Sequence, residues 1–162
     1  MGHSLGHSQM SVEKRLQELD LTLPTPPEPI AAYVPCVRTG QLIFVSGQLP
    51  ITGKDLLAKG PVPTKVPVDQ AQTAAQQCVL NGLAIVKNEL DGNLDRILRV
   101  VRIGVFVQSD TGFYDQALVA NGASELLQNL FGDAGKHARA AVGVNALPLN
   151  ASVEIEFLFE VE

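Results

Sequence analysis

The sequence is poor in the residues from which catalytic and metal sites are usually built. Of its three histidines, His3 and His7 lie in the first ten residues, so His137 is the only histidine in the rest of the chain. No Ser-His-Asp order, P-loop, GxGxxG or HExxH motif is present. One histidine is too few for most metal centres and leaves few ways to build a histidine-based triad. We therefore expect neither a metal nor another cofactor.

Cysteines and long apolar runs are also scarce. Cys36 and Cys78 are too few for a disulfide scaffold or a metal cluster, and Cys78 lies in a helical pattern typical of a small buried hydrophobe. No apolar run approaches the roughly 18 residues of a membrane span, and the N-terminus lacks the apolar stretch of a signal peptide. These absences predict a cytoplasmic protein with no membrane partner.

Charge is low as well, at 18% of residues, where soluble domains usually have about 25%. The net charge is −5 and the basic residues are scattered, which argues against a nucleic-acid partner because phosphate contacts need clustered Lys and Arg. With 46% hydrophobic residues, 162 residues suffice for one domain with a sizeable core. The small charged share suggests that a partner subunit covers part of the surface.

Periodicity divides the chain into residues 1–29 and a folded domain at 30–162. The first part combines a Gly-, Ser- and His-rich stretch (1–10) that is a disordered or vector-derived tail, a short helix (11–19) and a proline-rich lead-in (23–29). In the second part the order is ββ–α–β–α–ββ, with the following ranges: a hairpin at 33–48, helices at 68–90 and 113–131, a strand at 98–108, and two strands within 137–159.

The strand at 98–108 is apolar on both of its predicted faces, one carrying Val100 and Phe106 and the other Val101, Ile103 and Val105. Two helices can cover only one face of such a sheet. We therefore predict an obligate homo-oligomer in which the second face packs against other copies of the chain.

The last two strands hold the most suggestive polar residues. Arg139 lies in the first strand, and Glu154 and Glu156 share one face of the second. If these strands pair, a permanent cation and two carboxylates lie close on one sheet surface. That surface is either solvated, with a structural ion pair, or the wall of a site.

Three further polar or backbone positions are candidates, each with a structural alternative. Tyr33 could be a packing aromatic, and Gly47, in the Ser-Gly-Gln-Leu-Pro segment, could serve only a turn. Asn121, followed by Gly122 in the middle of a helix, could mark a close packing contact.

Four segments together resemble the YjgF/RidA family, also called the L-PSP endoribonuclease family. They are Tyr33 with SGQLP (46–50), LDRI (94–97) with VFV (105–107), HARAAVGV (137–144) and LPLNASVEIE (147–156). The resemblance spans about residues 30–161. It implies an α/β fold of the α+β type, a chorismate-mutase-like single domain whose mixed sheet has two helices on one face, and a homotrimer with ligand clefts between subunits.

The resemblance also implies roles for individual residues. Arg139 corresponds to the arginine that clamps the substrate carboxylate, and Glu154 to the glutamate that holds or activates the attacking water. The positions that line the cleft correspond to Tyr33, Gly47 and Asn121. The implied reaction is hydrolysis of a reactive 2-imino or 2-enamino acid to a 2-keto acid and ammonia.

The chain departs from the family directly after the arginine. Active members usually carry Ser or Cys and then Cys there, whereas this chain has Ala140 and Ala141. This leaves open a non-catalytic protein that binds small carboxylates. The negative net charge disfavours endoribonuclease activity. Chorismate mutase chemistry is disfavoured because the candidate site offers one arginine, whereas the dicarboxylate substrate would need a cation for each carboxylate.

Overall fold

The computed structural model describes residues 11–26 and 32–162, in which two long helices pack on one face of a five-stranded mixed sheet. The strands are β1 (Cys36–Thr39), β2 (Leu42–Gln48), β3 (Ile51–Thr52), β4 (Asp55–Leu56), β5 (Ile97–Gln108), β6 (Ala138–Val144) and β7 (Val153–Val161); the helices are α1 (Val12–Glu18), α2 (Val68–Glu89) and α3 (Gln116–Phe131). The predicted ββ–α–β–α–ββ order and mixed α+β class are confirmed. A small β3–β4 hairpin lies within the loop after β2. The tail at 1–10 and residues 27–31, which include the end of the proline-rich lead-in, fall outside the described residues.

The helices form where apolar residues recur at helical spacing. The short α1 is capped by Ser11, whose hydroxyl accepts a hydrogen bond from the Lys14 amide at 3.2 Å, and it buries Val12 and Leu16. The two long helices, α2 and α3, approach closely at Gly122, where a β-carbon would lie 2.5 Å from the Gln72 carbonyl oxygen. The close packing contact considered for this position therefore exists.

The strands run in the order β1-β2-β7-β5-β6 across the sheet. The last two strands do not pair with each other, because β5 lies between them, parallel to β6 and antiparallel to β7. The helix α3 is the crossover of a β–α–β unit, which brings β6 back parallel to β5. The condition for bringing Arg139 close to the two glutamates, pairing of these two strands, is therefore not met: Arg139 lies opposite Ile103, whereas Glu156 lies opposite Gly104 on the other face.

Irregularities in β5 change which of its residues face the helices. Val100 lies opposite Phe159 and Ile103 opposite Phe157, and all four side chains are buried on the helix side. The pairing register shifts between Val100 and Arg102, so strict alternation fails there. The prediction that Val100 and Ile103 lie on opposite faces is wrong for this reason.

The other side of the sheet is called the open face, and it keeps large apolar side chains exposed. Val37, Phe44 and Val142 are 52%, 47% and 45% exposed. Beside them Arg102 donates to Glu156 at 3.2 Å. Homo-oligomerisation through this face stays a prediction. None of the described helices is long and apolar enough to span a membrane.

Candidate functional site

Arg139 is held against α3 by two neutral acceptors. In β6 it lies opposite Ile103, a buried residue of the helix side, so its side chain leaves the sheet toward α3. Its Nη1 atom donates to Asn121 Oδ1 at 2.8 Å and to Ser124 Oγ at 3.1 Å. Asn121 and Ser124 are three residues apart and therefore share one helix face, which fixes the orientation of the guanidinium.

His137 forms a second layer behind this contact. Its Nδ1 lies 2.6 Å from the Gly135 carbonyl oxygen and its Nε2 lies 2.8 Å from Ser124 Oγ. A carbonyl oxygen can only accept, so in the neutral ring Nδ1 carries the hydrogen, and Nε2 accepts from the Ser124 hydroxyl. Ser124 thus accepts from Arg139 and donates to His137. We call Asn121, Ser124, His137 and Arg139 the arginine cluster.

Burial lowers the pKa of His137 from its ordinary value, and the neighbouring Arg139 charge lowers it further. The bond to the Gly135 carbonyl acts in the opposite direction, because it favours the protonated ring. The net result is an imidazole that stays neutral at neutral pH, as the accepting role of Nε2 requires.

The positive charge of Arg139 has no carboxylate partner among residues 11–26 and 32–162. The ion pairs found there join Lys87 to Glu13, Arg102 to Glu156 and Lys136 to Asp133. The structural bridge from Arg139 to a β7 glutamate, considered as an alternative, is absent from this described part. Both hydrogen bonds of the exposed guanidinium use Nη1, which leaves Nε and Nη2 as donors for an anion.

Glu154 lies on the open face, near Gly47. It pairs with Phe106 of β5, and a β-carbon added to Gly47 would lie 2.7 Å from Glu154 Oε1. Gly47 sits where the register between β2 and β7 shifts, between Val45 and Gln48. The missing side chain at this irregularity makes room for the carboxylate.

The environment of Glu154 disfavours its charge. Burial raises the pKa of this carboxyl, and the Glu156 carboxylate, two residues along β7, raises it further. Tyr33, 52% exposed, precedes the segment that runs beside Gly47: the Ser46 hydroxyl donates to the Val34 carbonyl at 2.8 Å. We call Gly47 and Glu154 the glutamate cluster, and the hydrogen bonds of the described residues do not place Tyr33 in it.

Within one chain the two clusters are separate. Arg139 and Glu154 lie on opposite faces of the sheet, two strands and three residues apart in register, so about 14 Å separates their Cα atoms. Of the five predicted site residues, the chain brings Arg139 to Asn121 and Gly47 to Glu154, and these two pairs lie apart.

Ser124 and His137 are members of the arginine cluster that the sequence reasoning missed. The usable signal was spacing: Asn121 and Ser124 are one helical turn apart, and His137 and Arg139 are two residues apart at the start of a strand. Each pair therefore shares a face. No pattern in the sequence links the helix face to the strand.

The two alanines after the arginine face different ways. Ala141 lies opposite Val105 on the helix side, as Arg139 does, whereas Ala140 lies opposite Gly104 on the open face. Of the two positions where the family usually has Ser or Cys, only Ala141 shares a face with the guanidinium.

Comparison with known proteins identifies the family. Residues 24–161 match the family model described as endoribonuclease L-PSP. The chain belongs to the endoribonuclease L-PSP family. This confirms the YjgF/RidA resemblance that the four sequence segments indicated.

Named relatives and solved structures cover nearly the whole chain. Protein TCP17 of Trypanosoma cruzi is 41% identical over 150 residues, which is 92% of this chain and 93% of that protein. The 2-iminobutanoate/2-iminopropanoate deaminase of Dermatophagoides farinae is 29% identical over 143 residues, 88% of this chain and 95% of that protein. The crystal structure of Atu1372 from Agrobacterium tumefaciens, described as of unknown function, has a TM-score of 0.88 and 46% identity, covering 93% of this chain and 92% of that one.

Proposed function

We propose that this protein is an imine/enamine deaminase that hydrolyses 2-imino and 2-enamino acids to 2-keto acids and ammonia. One observation carries the proposal: an oriented guanidinium whose charge no described carboxylate neutralises. Family membership, together with a relative named for this deaminase activity, supports the choice of substrate class.

In this reaction Arg139 would hold the substrate and Glu154 the water. Nε and Nη2 form the planar fork that grips a carboxylate with two parallel hydrogen bonds. Water adds to the imine carbon, the carbon–nitrogen bond breaks, and nitrogen leaves as ammonia. The substrate is already reactive, so the protein supplies orientation and a proton acceptor for the attacking water. The raised pKa of Glu154 makes its carboxylate a better acceptor for the proton of the attacking water.

We further propose that the site is completed between chains, in a homotrimer. Arg139 and Glu154 of one chain are about 14 Å apart on opposite faces, too far to act on one small substrate. The exposed Val37, Phe44 and Val142 give the open face an apolar surface that association would bury. In such an assembly the arginine cluster of one chain would meet the glutamate cluster of another.

The decisive experiment measures release of ammonia and keto acid from iminopropionate generated by an amino-acid dehydratase. Arg139→Ala should lose nearly all activity, because removing one member of the charge pair that the substrate carboxylate would form with Arg139 in the proposed inter-chain site typically costs about 2–5 kcal/mol. The matched control is Arg38→Ala. Arg38 is also an exposed strand arginine, but it bonds the Gly40 and Glu162 carbonyls in the β1 region. Equal rates for wild type and Arg139→Ala would remove the proposal.

A second candidate is a protein that binds small carboxylates without turning them over. It is favoured by Ala141, which shares the face of Arg139 but offers no thiol or hydroxyl to the site. Calorimetry with small 2-keto acids would distinguish the two. Binding that depends on Arg139, with no ammonia release in the dehydratase assay, would select the binder.

A further inference from the structure

We propose that Ser124 and His137 are positioning residues for Arg139, which hold the guanidinium plane ready for a carboxylate. This inference rests on the proposed role of Arg139 as the carboxylate clamp, and it adds two residues to which the family resemblance gave no role. The hydrogen bonds run in one direction, from Arg139 Nη1 to Ser124 Oγ and from Ser124 to His137 Nε2. The backbone carbonyl of Gly135 terminates the series.

The Gly135 carbonyl determines which ring nitrogen of His137 is free to accept a hydrogen bond. Because it binds the Nδ1 hydrogen, the ring presents the bare Nε2 to Ser124. Ser124 is only 7% exposed and its hydroxyl hydrogen points to His137, so an oxygen lone pair faces Arg139. Without His137 this helical serine would bond a backbone carbonyl of the preceding turn, as serines in helices commonly do. Its oxygen would then leave the position in which it meets Nη1.

Two acceptors on a single Nη1 atom fix more than its position. Asn121 alone would hold one hydrogen and leave the guanidinium free to rotate about that bond. Ser124 takes a second direction, so the plane is set and the edge formed by Nε and Nη2 is presented outward. A fork with a fixed plane binds a carboxylate without first losing rotational freedom. The cluster therefore acts on binding more than on the chemical step.

The experiment compares wild type with Ser124→Ala, His137→Leu and His137→Gln. Glutamine can place its side-chain oxygen near the position of Nε2, whereas leucine removes the acceptor. Ser124→Ala and His137→Leu should raise KM for the imino acid about tenfold with little change in kcat, the loss expected for a hydrogen bond to a charged group. His137→Gln should stay near wild type. Ser109→Ala, which removes another partly buried hydroxyl, serves as the control.

A spectroscopic readout decides the inference even if the deaminase proposal fails. In the ligand-free protein, ¹⁵N NMR should show the His137 tautomer with hydrogen on Nδ1, and restricted rotation of the Arg139 guanidinium. That restriction should disappear in Ser124→Ala and His137→Leu and persist in His137→Gln.

Two results would overturn the inference: hydrogen on Nε2 in wild type, or an unchanged arginine signal in Ser124→Ala. Failure of wild type to release ammonia or to bind pyruvate in calorimetry would instead count against the proposed function. The arginine signal does not depend on that outcome, so the two failures can be told apart.

Discussion

Gly47 and Glu154 fit together so closely that a β-carbon on Gly47 would lie 2.7 Å from Oε1 of the glutamate and 3.0 Å from its carboxyl carbon. Such distances are shorter than van der Waals contact, so any side chain at position 47 must displace the carboxylate. The strand irregularity at Gly47 and the position of Glu154 are therefore two parts of one arrangement.

Gly47→Ala should therefore lower the deaminase rate and also lower the free energy of unfolding. A displacement of about 1 Å at a reacting group can lower the rate on the order of 100-fold, while overpacking costs about 1–3 kcal/mol of unfolding free energy. Rates are compared by ammonia release and stabilities by urea unfolding.

Gly143→Ala is the matched control, since its β-carbon would also lie 2.7 Å from the end of a flexible side chain, Gln116 Nε2. It should show a similar stability change without the loss of rate. Wild-type rates for Gly47→Ala would show that the carboxylate position is not critical.

Glu156→Gln should move the acidic limb of the pH–rate profile to lower pH. The Glu156 charge is the second cause of the raised Glu154 pKa, after burial, so removing it lets Glu154 ionise at lower pH. The substitution also removes the carboxylate paired with Arg102, whose freed charge acts in the same direction. A water-activating carboxylate works when ionised, so activity should persist to lower pH.

The measurement is kcat/KM against pH. The control is Glu160→Gln, because Glu160 is a glutamate on the same face of β7 but lies six residues from Glu154. A limb that stays in place in Glu156→Gln, or that moves equally in both variants, would contradict the assignment of Glu154.

Phe44→Glu should dissociate the proposed oligomer. The ring lies on the open face, 47% exposed and opposite Val37 on β1 and Leu158 on β7, so a charge there would be buried on association. Sedimentation at micromolar concentration should show wild type as a trimer and the variant as smaller species that lack deaminase activity.

Leu19→Glu tests whether any new charge has this effect, since Leu19 is similarly exposed, at 42%, but follows α1. It should leave the trimer intact. A monomeric wild type, or a trimeric Phe44→Glu, would contradict association through the open face.

The elements could be predicted from the sequence because each follows from local periodicity. Helices α2 and α3 have long apolar stripes, and β7 alternates strictly, with Val153, Ile155 and Phe157 buried and Glu154 and Glu156 half-buried. Irregular strands are different, since the register shift at Val100–Arg102 has no distinctive residue type. Strand order was also inaccessible, because the alternation within β6 and β7 does not say which strand lies between them.

In the candidate site, too, individual residues could be predicted from the sequence but the contacts between distant elements could not. Asn121 and Arg139 were singled out separately, and the structure joins them by a 2.8 Å hydrogen bond. Ser124 was not singled out from the sequence, and His137 was considered only as a lone histidine, too little for a triad or a metal centre. Their roles depend on a contact between α3 and β6 that no local pattern contains.

Folding stability should depend on pH through His137. Burial and the Arg139 charge lower its pKa in the folded protein below the unfolded value of 6.5. As pH falls below that value, the unfolded chain takes up a proton before the folded chain does, so unfolding becomes easier. The stabilisation by a neutral His137 is thus complete above about pH 6.5 and is lost as pH falls toward the folded pKa.

Urea unfolding of wild type and His137→Gln at pH 8 and pH 5, at one protein concentration, measures this effect. His3 and His7 are present in both proteins and cancel in the difference. Wild type should lose more stability than His137→Gln between the two pH values, whereas equal losses would mean that His137 is protonated as readily in the folded state as in the unfolded one.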